Sequence, residues 1–271
     1  SKGVSDGEML LAQVSTFAGE SKAAPATLKL VFKSRFCLVT QGGGQNISKA
    51  VKDEDRRVEL LELLAALPKH DLGLVVRTAA ADADDDAIAA DIAQTLDVAA
   101  RVLAEPLRGT PELLLAGPDA AERAWRDWPA PDVTDADAGS FERHEIDAMI
   151  DQIRSAREDL SAGASMFVEP TRALVSVDVN TGNDTSPAAA LKANIAAMKA
   201  LPRALRVRGL GGQIVVDLAP LAKRDRRQME SITKAAFRSD PIETTLVGWT
   251  PLGHLELIRK RERLPLLESL K

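Results

Sequence analysis

Residues 174–180 read LVSVDVN and residues 214–218 read IVVDL. Both are short apolar runs of strand-like composition, and each carries an aspartate at or near its end. Between them, Ser186 and Pro187 make a good helix start, with serine as cap and proline at the first helical position. The helix is predicted to run to about Leu205, with a kink at Pro202, before residues 209–212 (GLGG) turn the chain. Strand, helix, strand at this spacing predicts a parallel crossover unit. Side chains alternate along a strand, so Ser176, Asp178 and Asn180 share one face. The two strands then present Asp178 and Asp217 near one shared edge.

An acidic residue closing an apolar strand costs on the order of several kcal/mol to desolvate unless something neutralises it. Two such residues on neighbouring strands also repel each other. A hard divalent cation resolves both costs, and magnesium takes one or two carboxylates plus waters and substrate phosphates. Asn180 can orient a carboxylate or a metal-bound water. Such an ion activates water and stabilises charge on a phosphoryl oxygen, the needs of phosphodiester hydrolysis. Capping of loops by two strand-end aspartates is the plainer alternative on spacing alone.

Cations flank these segments. Arg203, Arg206 and Arg208 end the crossover helix, and Lys223, Arg224, Arg226 and Arg227 open the next one. In that helix Met229, Ile232, Ala236 and Phe237 have helical apolar spacing, which leaves Lys234 and Arg238 outward. A basic rim round an acidic pair fits a site that grips a nucleic-acid backbone. Helix-end cations that complement the dipole explain Arg206 and Arg208 equally well.

Upstream, residues 28–40 (LKLVFKSRFCLVT) read as two short strands, followed by a loop at 41–46 (QGGGQN). Helical spacing covers 53–67 and is stopped by Pro68; residues 72–78 (LGLVVRT) form a buried strand. Its last two residues, Arg77 and Thr78, set a guanidinium beside a hydroxyl, which suits a terminal phosphate or an ordinary surface turn. An Ala-rich helix is predicted over 84–105, a linker over 129–139 and another helix over 141–160. Residues 7–14 have strand character with nothing before them to pair with. The triple glycine at 42–44 lacks the Gly-Lys-Ser/Thr of a phosphate loop, so the likeness of 215–217 to a nucleotide-hydrolase metal strand carries little. His70, His144 and His254 show no ligand spacing and read as structural or solvated; Cys37, between Phe36 and Leu38, reads as a core thiol.

Composition bounds the rest. The 271 residues are 45% hydrophobic and 28% charged, enough for a sizeable core. One cysteine excludes an internal disulfide and a multi-thiolate zinc site, and suits a reducing cytoplasm. No apolar run approaches the roughly 20 residues of a membrane span, and the first residues lack a secretory layout. The net charge of −5 conceals a segregation: residues 81–160 hold 20 acidic against 7 basic side chains, residues 201–271 hold 14 basic against 8 acidic. A local basic face can therefore still capture phosphates.

With these residues in view, the chain resembles the ribonuclease E/G family. The likeness rests on GASMFVEPT at 163–171, ALVSVDVNT at 173–181, RVRGLGGQIVVD at 206–217, GLVVRTA at 73–79 and NISK at 46–49. The resemblance implies a single-strand-specific endoribonuclease of mixed α/β fold that leaves a 5′-phosphate on the downstream fragment. It implies a DNase I-like catalytic subdomain at 161–271, a shortened RNase H-like region with linker at 106–160, a 5′-sensor-like domain at 23–105 and the remnant of an OB-fold at 1–22. Asp178 and Asp217 would coordinate Mg2+ (or Mn2+), Asn180 would fix their geometry, and Arg77 and Thr78 would grip a 5′-monophosphate. Lys49, Arg206, Arg208, Arg224 and Arg227 would contact single-stranded RNA.

Several positions depart from the family pattern. The two-cysteine zinc motif of longer members does not occur, so neither zinc nor a zinc-linked oligomer is expected. Pro251 and Leu252 stand where the family commonly has Arg-Phe, and Pro220 where a further acid often follows Asp217. An RNA-binding or regulatory protein that kept the fold and lost efficient cutting is the alternative reading, with a decay-protein scaffold behind it.

Overall fold

The fold is that of a computed structural model, which describes residues 4–18, 23–107 and 109–270. The expected OB-fold remnant at 1–22 falls in part on residues 1–3 and 19–22, outside the described residues. Two compact units emerge, one from the described parts of Ser1–Ser15 and Ser21–Thr134, the other from those of Thr16–Glu20 and Asp135–Lys271.

In the first unit, β1 (Gln13–Val14) and β2 (Ala26–Thr27) form a small antiparallel ribbon. The strand expected over 7–14 thus shrinks to two paired residues. A four-stranded sheet holds β3 (Val31–Lys33), β4 (Cys37–Thr40), β5 (Gln45–Ile47) and β6 (Gly73–Val76) in the order β3-β4-β6-β5. Residues 45 and 46, expected in a loop, belong instead to β5, parallel to β6. Only Ile47 of β5 turns inward, so no apolar alternation marks it in the sequence.

Helices α1 (Glu54–Ala66) and α2 (Asp85–Ala104) begin at Asp53 and Asp84, whose side chains accept from the N–H groups of Arg56 and Ala87. Leu60, Leu64, Ile88 and Ile92 are buried with Phe32, Val39, Leu74 and Val76. Full burial of each such side chain stabilises by about 1.5–3 kcal/mol. Cys37 lies in this core, and burial pushes its thiol pKa up, away from nucleophilic use. A short helix, α3 (Ala120–Asp127), follows; a capping box between Asp119 and Glu122 starts it, and it buries none of its residues.

The second unit departs from expectation at its start. The helix predicted over 141–160 is broken into α4 (Ser140–Arg143), α5 (Ile146–Arg154) and a strand, β7 (Arg157–Asp159). Glu145 takes a left-handed conformation with φ of 54° between the helices. Pairing of Arg157 with Phe167 and the grip of Arg208 on Glu158 turn helix-compatible residues into strand.

β8 (Ser165–Pro170), β9 (Val175–Asn180), α6 (Pro187–Val207), β10 (Gly212–Asp217), α7 (Arg226–Arg238), β11 (Thr244–Trp249) and β12 (Leu255–Arg259) complete the unit. The sheet order is β11-β12-β10-β9-β8-β7, antiparallel except for the parallel pair β9 and β10 that α6 connects. The Ser186 hydroxyl accepts from the Ala189 N–H, as the sequence suggested, and α6 continues through Pro202. At its end the N–H of Gly209 reaches Arg206 and the N–H of Leu210 reaches Leu205, a complete Schellman closure. Gly209 has φ of +65°, and a Cβ there would lie 2.5 Å from the Leu264 carbonyl.

Alternate strand residues Val175, Val177, Val179, Ile214, Val216, Leu255 and Leu257 are buried with Ala193, Ala197, Met198, Leu201 and Leu205 of α6 and Met229 of α7. The alternate set, which includes Ser176, Asp178, Asn180, Gln213, Val215 and Asp217, is exposed or half-buried. The mixed α/β architecture expected from the sequence is therefore the one adopted. Among the described residues, no helix is long and apolar enough to cross a membrane.

Candidate active site

Asp217 and Asp178 are register partners across the parallel pair of strands, so their backbones are about 4.8 Å apart. Register partners project to the same face, and here that face is the one without helices. Beside them the Asn180 amide donates to Oδ2 of Asp178 at 2.7 Å, which fixes that carboxylate's rotation. On the other flank, Nε2 of His254 lies 3.7 Å from Oδ1 of Asp217. His254 precedes β12, and the antiparallel register of Val216 with Leu255 carries it to the position opposite Asp217.

Two elements secure the Asp217 end. The buried side chain of Asn194 in α6 bonds both the N–H and the C=O of Ala219, each at 2.9 Å. On the β12 side, the Thr250–His254 turn is closed by three hydrogen bonds, one of them from the His254 N–H to the Thr250 hydroxyl. Gly253, with φ of +98°, completes that turn.

The expected basic rim divides. Arg224 and Arg227 are exposed at the start of α7, in the segment that follows Asp217; the Arg224 side chain is 88% exposed. Arg206 and Arg208 lie elsewhere. They end a helix of 21 residues, about 30 Å long, that carries the chain back from the acidic edge to the start of β10. Arg208 is buried against Glu158 at 2.6 Å and the Ser155 carbonyl at 2.8 Å. Arg206 pairs with Asp240, which also receives Arg259 at 3.0 Å. Arg208, expected at an RNA surface, is buried instead, whereas Arg206 is engaged in its ion pair with its side chain 34% exposed. The stacked Arg226 and Trp249, 4.7 Å apart, are likewise engaged within the unit.

In the first unit, Lys49 is exposed. Next to it, the Ser48 hydroxyl meets the Thr78 hydroxyl at 3.3 Å. The Arg77 guanidinium has other partners. It donates to the carbonyls of Ser34, Arg35 and Arg126 and pairs with Asp127 at 3.1 Å. Arg77 and Thr78 are neighbours in the chain whose side chains hold different partners. Lys33 at 2.7 Å and Arg126 at 2.8 Å complete a ring of three cations round Asp127. Burial alone would raise the Asp127 carboxyl, but bonds from Arg126 and Lys33 outweigh it and hold the group well below the usual carboxylate range.

The Asp178–Asp217 pair suits a hard cation that keeps most of its waters. Among the described residues, no three or more His, Cys, Asp or Glu side chains gather closely enough to form a metal cage. Sequence reasoning passed over His254, Lys33 and Asp127. The turn residues of 250–253 are the signal that would have placed His254 in a hairpin beside Asp217. Lys33 and Asp127 meet only through tertiary folding, and no local pattern marks them.

A model of the ribonuclease E/G family matches residues 32–138 and 133–262. The chain is 25% identical to ribonuclease G of Salmonella typhimurium (strain SL1344) over 96% of its length, and 28% identical to ribonuclease E of Nostoc sp. over 94%. It spans 61% of the first of these relatives and 43% of the second. A chloroplastic ribonuclease E/G-like protein of Arabidopsis thaliana is 37% identical over 45% of the chain.

Proposed function

The chain belongs to the ribonuclease E/G family, and from that premise we propose that it is an endoribonuclease that hydrolyses single-stranded RNA with Mg2+, or Mn2+, held by Asp178 and Asp217. The single observation that carries this reading is the in-register pairing of the two carboxylates on an uncovered sheet face. When bound, the cation supplies an activated water and charge stabilisation at a phosphoryl oxygen.

The chain's own residues do the rest. Asn180 occupies Oδ2 of Asp178 and leaves Oδ1 for the site. Asn194 fixes the chain just after Asp217, and His254 borders its Oδ1. Arg224 and Arg227 supply exposed cations for the RNA backbone near the acids, and Lys49 supplies one in the first unit. In the balanced reaction, water's oxygen bonds to phosphorus and the bond to the 3′ oxygen breaks. The upstream piece keeps a 3′-hydroxyl, and the downstream piece carries the 5′-phosphate. A preference for 5′-monophosphorylated ends, with Arg77 as the grip and Thr78 beside it, belongs to the same proposal. A role in RNA processing or decay, in the cytoplasm, belongs to the same proposal.

The test is cleavage of a 5′-monophosphorylated oligoribonucleotide at millimolar Mg2+, with chelator and an Asp178→Asn variant as controls. Cutting that persists in the variant refutes the assignment. One observation favours a binding role without efficient cutting: at the tip of the β11–β12 turn, Pro251 and an 86% exposed Leu252 offer RNA no cation. Tight RNA binding with no products at millimolar Mg2+ would select that reading.

A further inference from the structure

We propose that Asp127 occupies the seat of an RNA 5′-phosphate and thereby sets how far the chain responds to the phosphorylation of the 5′ end. The inference rests on the end preference proposed above, and it relocates the grip of that preference from Arg77 with Thr78 to Arg77 with Lys33.

Three cations from three separate elements converge on one carboxylate. Lys33 comes from the end of β3, Arg77 from the end of β6 and Arg126 from α3, at 2.7, 3.1 and 2.8 Å. Arg126 belongs to α3 with Asp127, so when that helix moves away Lys33 and Arg77 remain as two cations with no anion between them. A phosphate monoester, with a charge of about −1.5 to −2 at neutral pH, matches that pair better than a carboxylate does. Arg77 is also pre-set. Carbonyls of Ser34 and Arg35, outside α3, hold Nη1 of Arg77, so its Nη2 faces the anion without further ordering. Side-chain exposures of 36% for Lys33, 19% for Arg77 and 24% for Asp127 leave the seat reachable from solvent.

The carboxylate is held there by a removable element. Helix α3 buries none of its eight residues. Its attachment runs through polar contacts and the stack of Arg35 on Trp125 at 4.8 Å. An element with so little buried apolar area opens at low cost. An incoming phosphate therefore competes with a tethered anion at high effective concentration, which depresses its apparent affinity.

The experiment compares two oligoribonucleotides of one sequence, 5′-monophosphorylated and 5′-hydroxyl, labelled at the 3′ end. Binding is read by fluorescence anisotropy in chelator, so that nothing is cut. The quantity of interest is the ratio of the two affinities, because general charge effects move both and cancel. In the native protein the ratio is expected to favour the 5′-monophosphate by only about threefold, and Asp127→Asn should raise it roughly tenfold further. Adding Arg77→Ala to Asp127→Asn should return it to about unity. Asp127→Ser serves as a second variant, and circular dichroism confirms that each is folded. A large ratio in the native protein that Asp127→Asn leaves unchanged overturns the proposal while the end preference stands. A ratio of unity in both proteins removes the end preference and the proposal with it. A gain in Asp127→Asn that survives Arg77→Ala shows that the phosphate binds elsewhere and also overturns it.

Discussion

Asn194 holds Ala219 by both of its backbone groups, from a side chain with no solvent exposure. The bond spans α6 to the segment just past β10, and it fixes the chain two residues beyond Asp217. Asn194→Ala leaves the Ala219 N–H and C=O unpaired in the interior, at about 1–3 kcal/mol for each. Urea unfolding should show a loss of that order, and the residual folded protein should need more Mg2+ for half-maximal cutting. An unchanged Mg2+ requirement would mean that the clamp serves stability alone.

At the acids themselves, Asp178→Asn and Asp217→Asn are each expected to abolish measurable cleavage while RNA binding in chelator is retained. Asn180→Ala acts one step removed, by freeing the Asp178 carboxylate to rotate. Its cost should be about 10- to 100-fold, largely recovered at higher Mg2+. Titration of rate against Mg2+ separates the two classes of variant. An Asn180→Ala enzyme that no concentration of Mg2+ restores would give that amide a different role.

The four arginines of the expected rim should sort by place in the fold. Arg224→Ala and Arg227→Ala are predicted to weaken RNA binding, with the salt slope of log affinity falling by about 0.7 for each phosphate left without its cation. Stability should hardly change, since both side chains are exposed. Arg208→Ala strands Glu158 and should cost about 3–5 kcal/mol in unfolding experiments. A reduced salt slope in Arg208→Ala would contradict its burial.

The ion cluster at Asp127 predicts a pH dependence of definite sign. A carboxyl held below its ordinary value stabilises the fold above the unfolded pKa of about 3.9 and loses that contribution as pH falls toward the folded value. The native protein should therefore melt above Asp127→Asn at pH 7 and pH 5, and the gap should narrow below about pH 4. Thermal melts at pH 7, 5 and 2.5 check it; a gap constant across that range would show that the bonds, not the charge, matter.

Much of the second unit was legible because its signals are local. Period-two alternation set Asp178 and Asn180 on one face, the Ser186-Pro187 start fixed where α6 begins, and the crossover rule made its flanking strands parallel. The break of 141–160 into two helices and β7 was not legible, because a partner strand and Arg208 decide it. The same holds for the arginines. Arg208 and Arg227 look alike as letters, and only the direction in which α6 runs tells a buried strut from an exposed cation. For His254 the turn residues at 250–253 signal a hairpin, but only the register of β12 on β10 sets it opposite Asp217.

Because α6 returns the chain to the far end of the sheet, β10 must count its residues correctly before it reaches the acidic edge. One residue added or removed between Gly212 and Asp217 would invert the sidedness of every later position in that strand. The Asp217 carboxylate would then point among the alanines and methionines under the helices, with Val216 or Leu218 left in the water. A length change there would part the two carboxylates without substituting either of them, while Asp178, one strand away, kept its place.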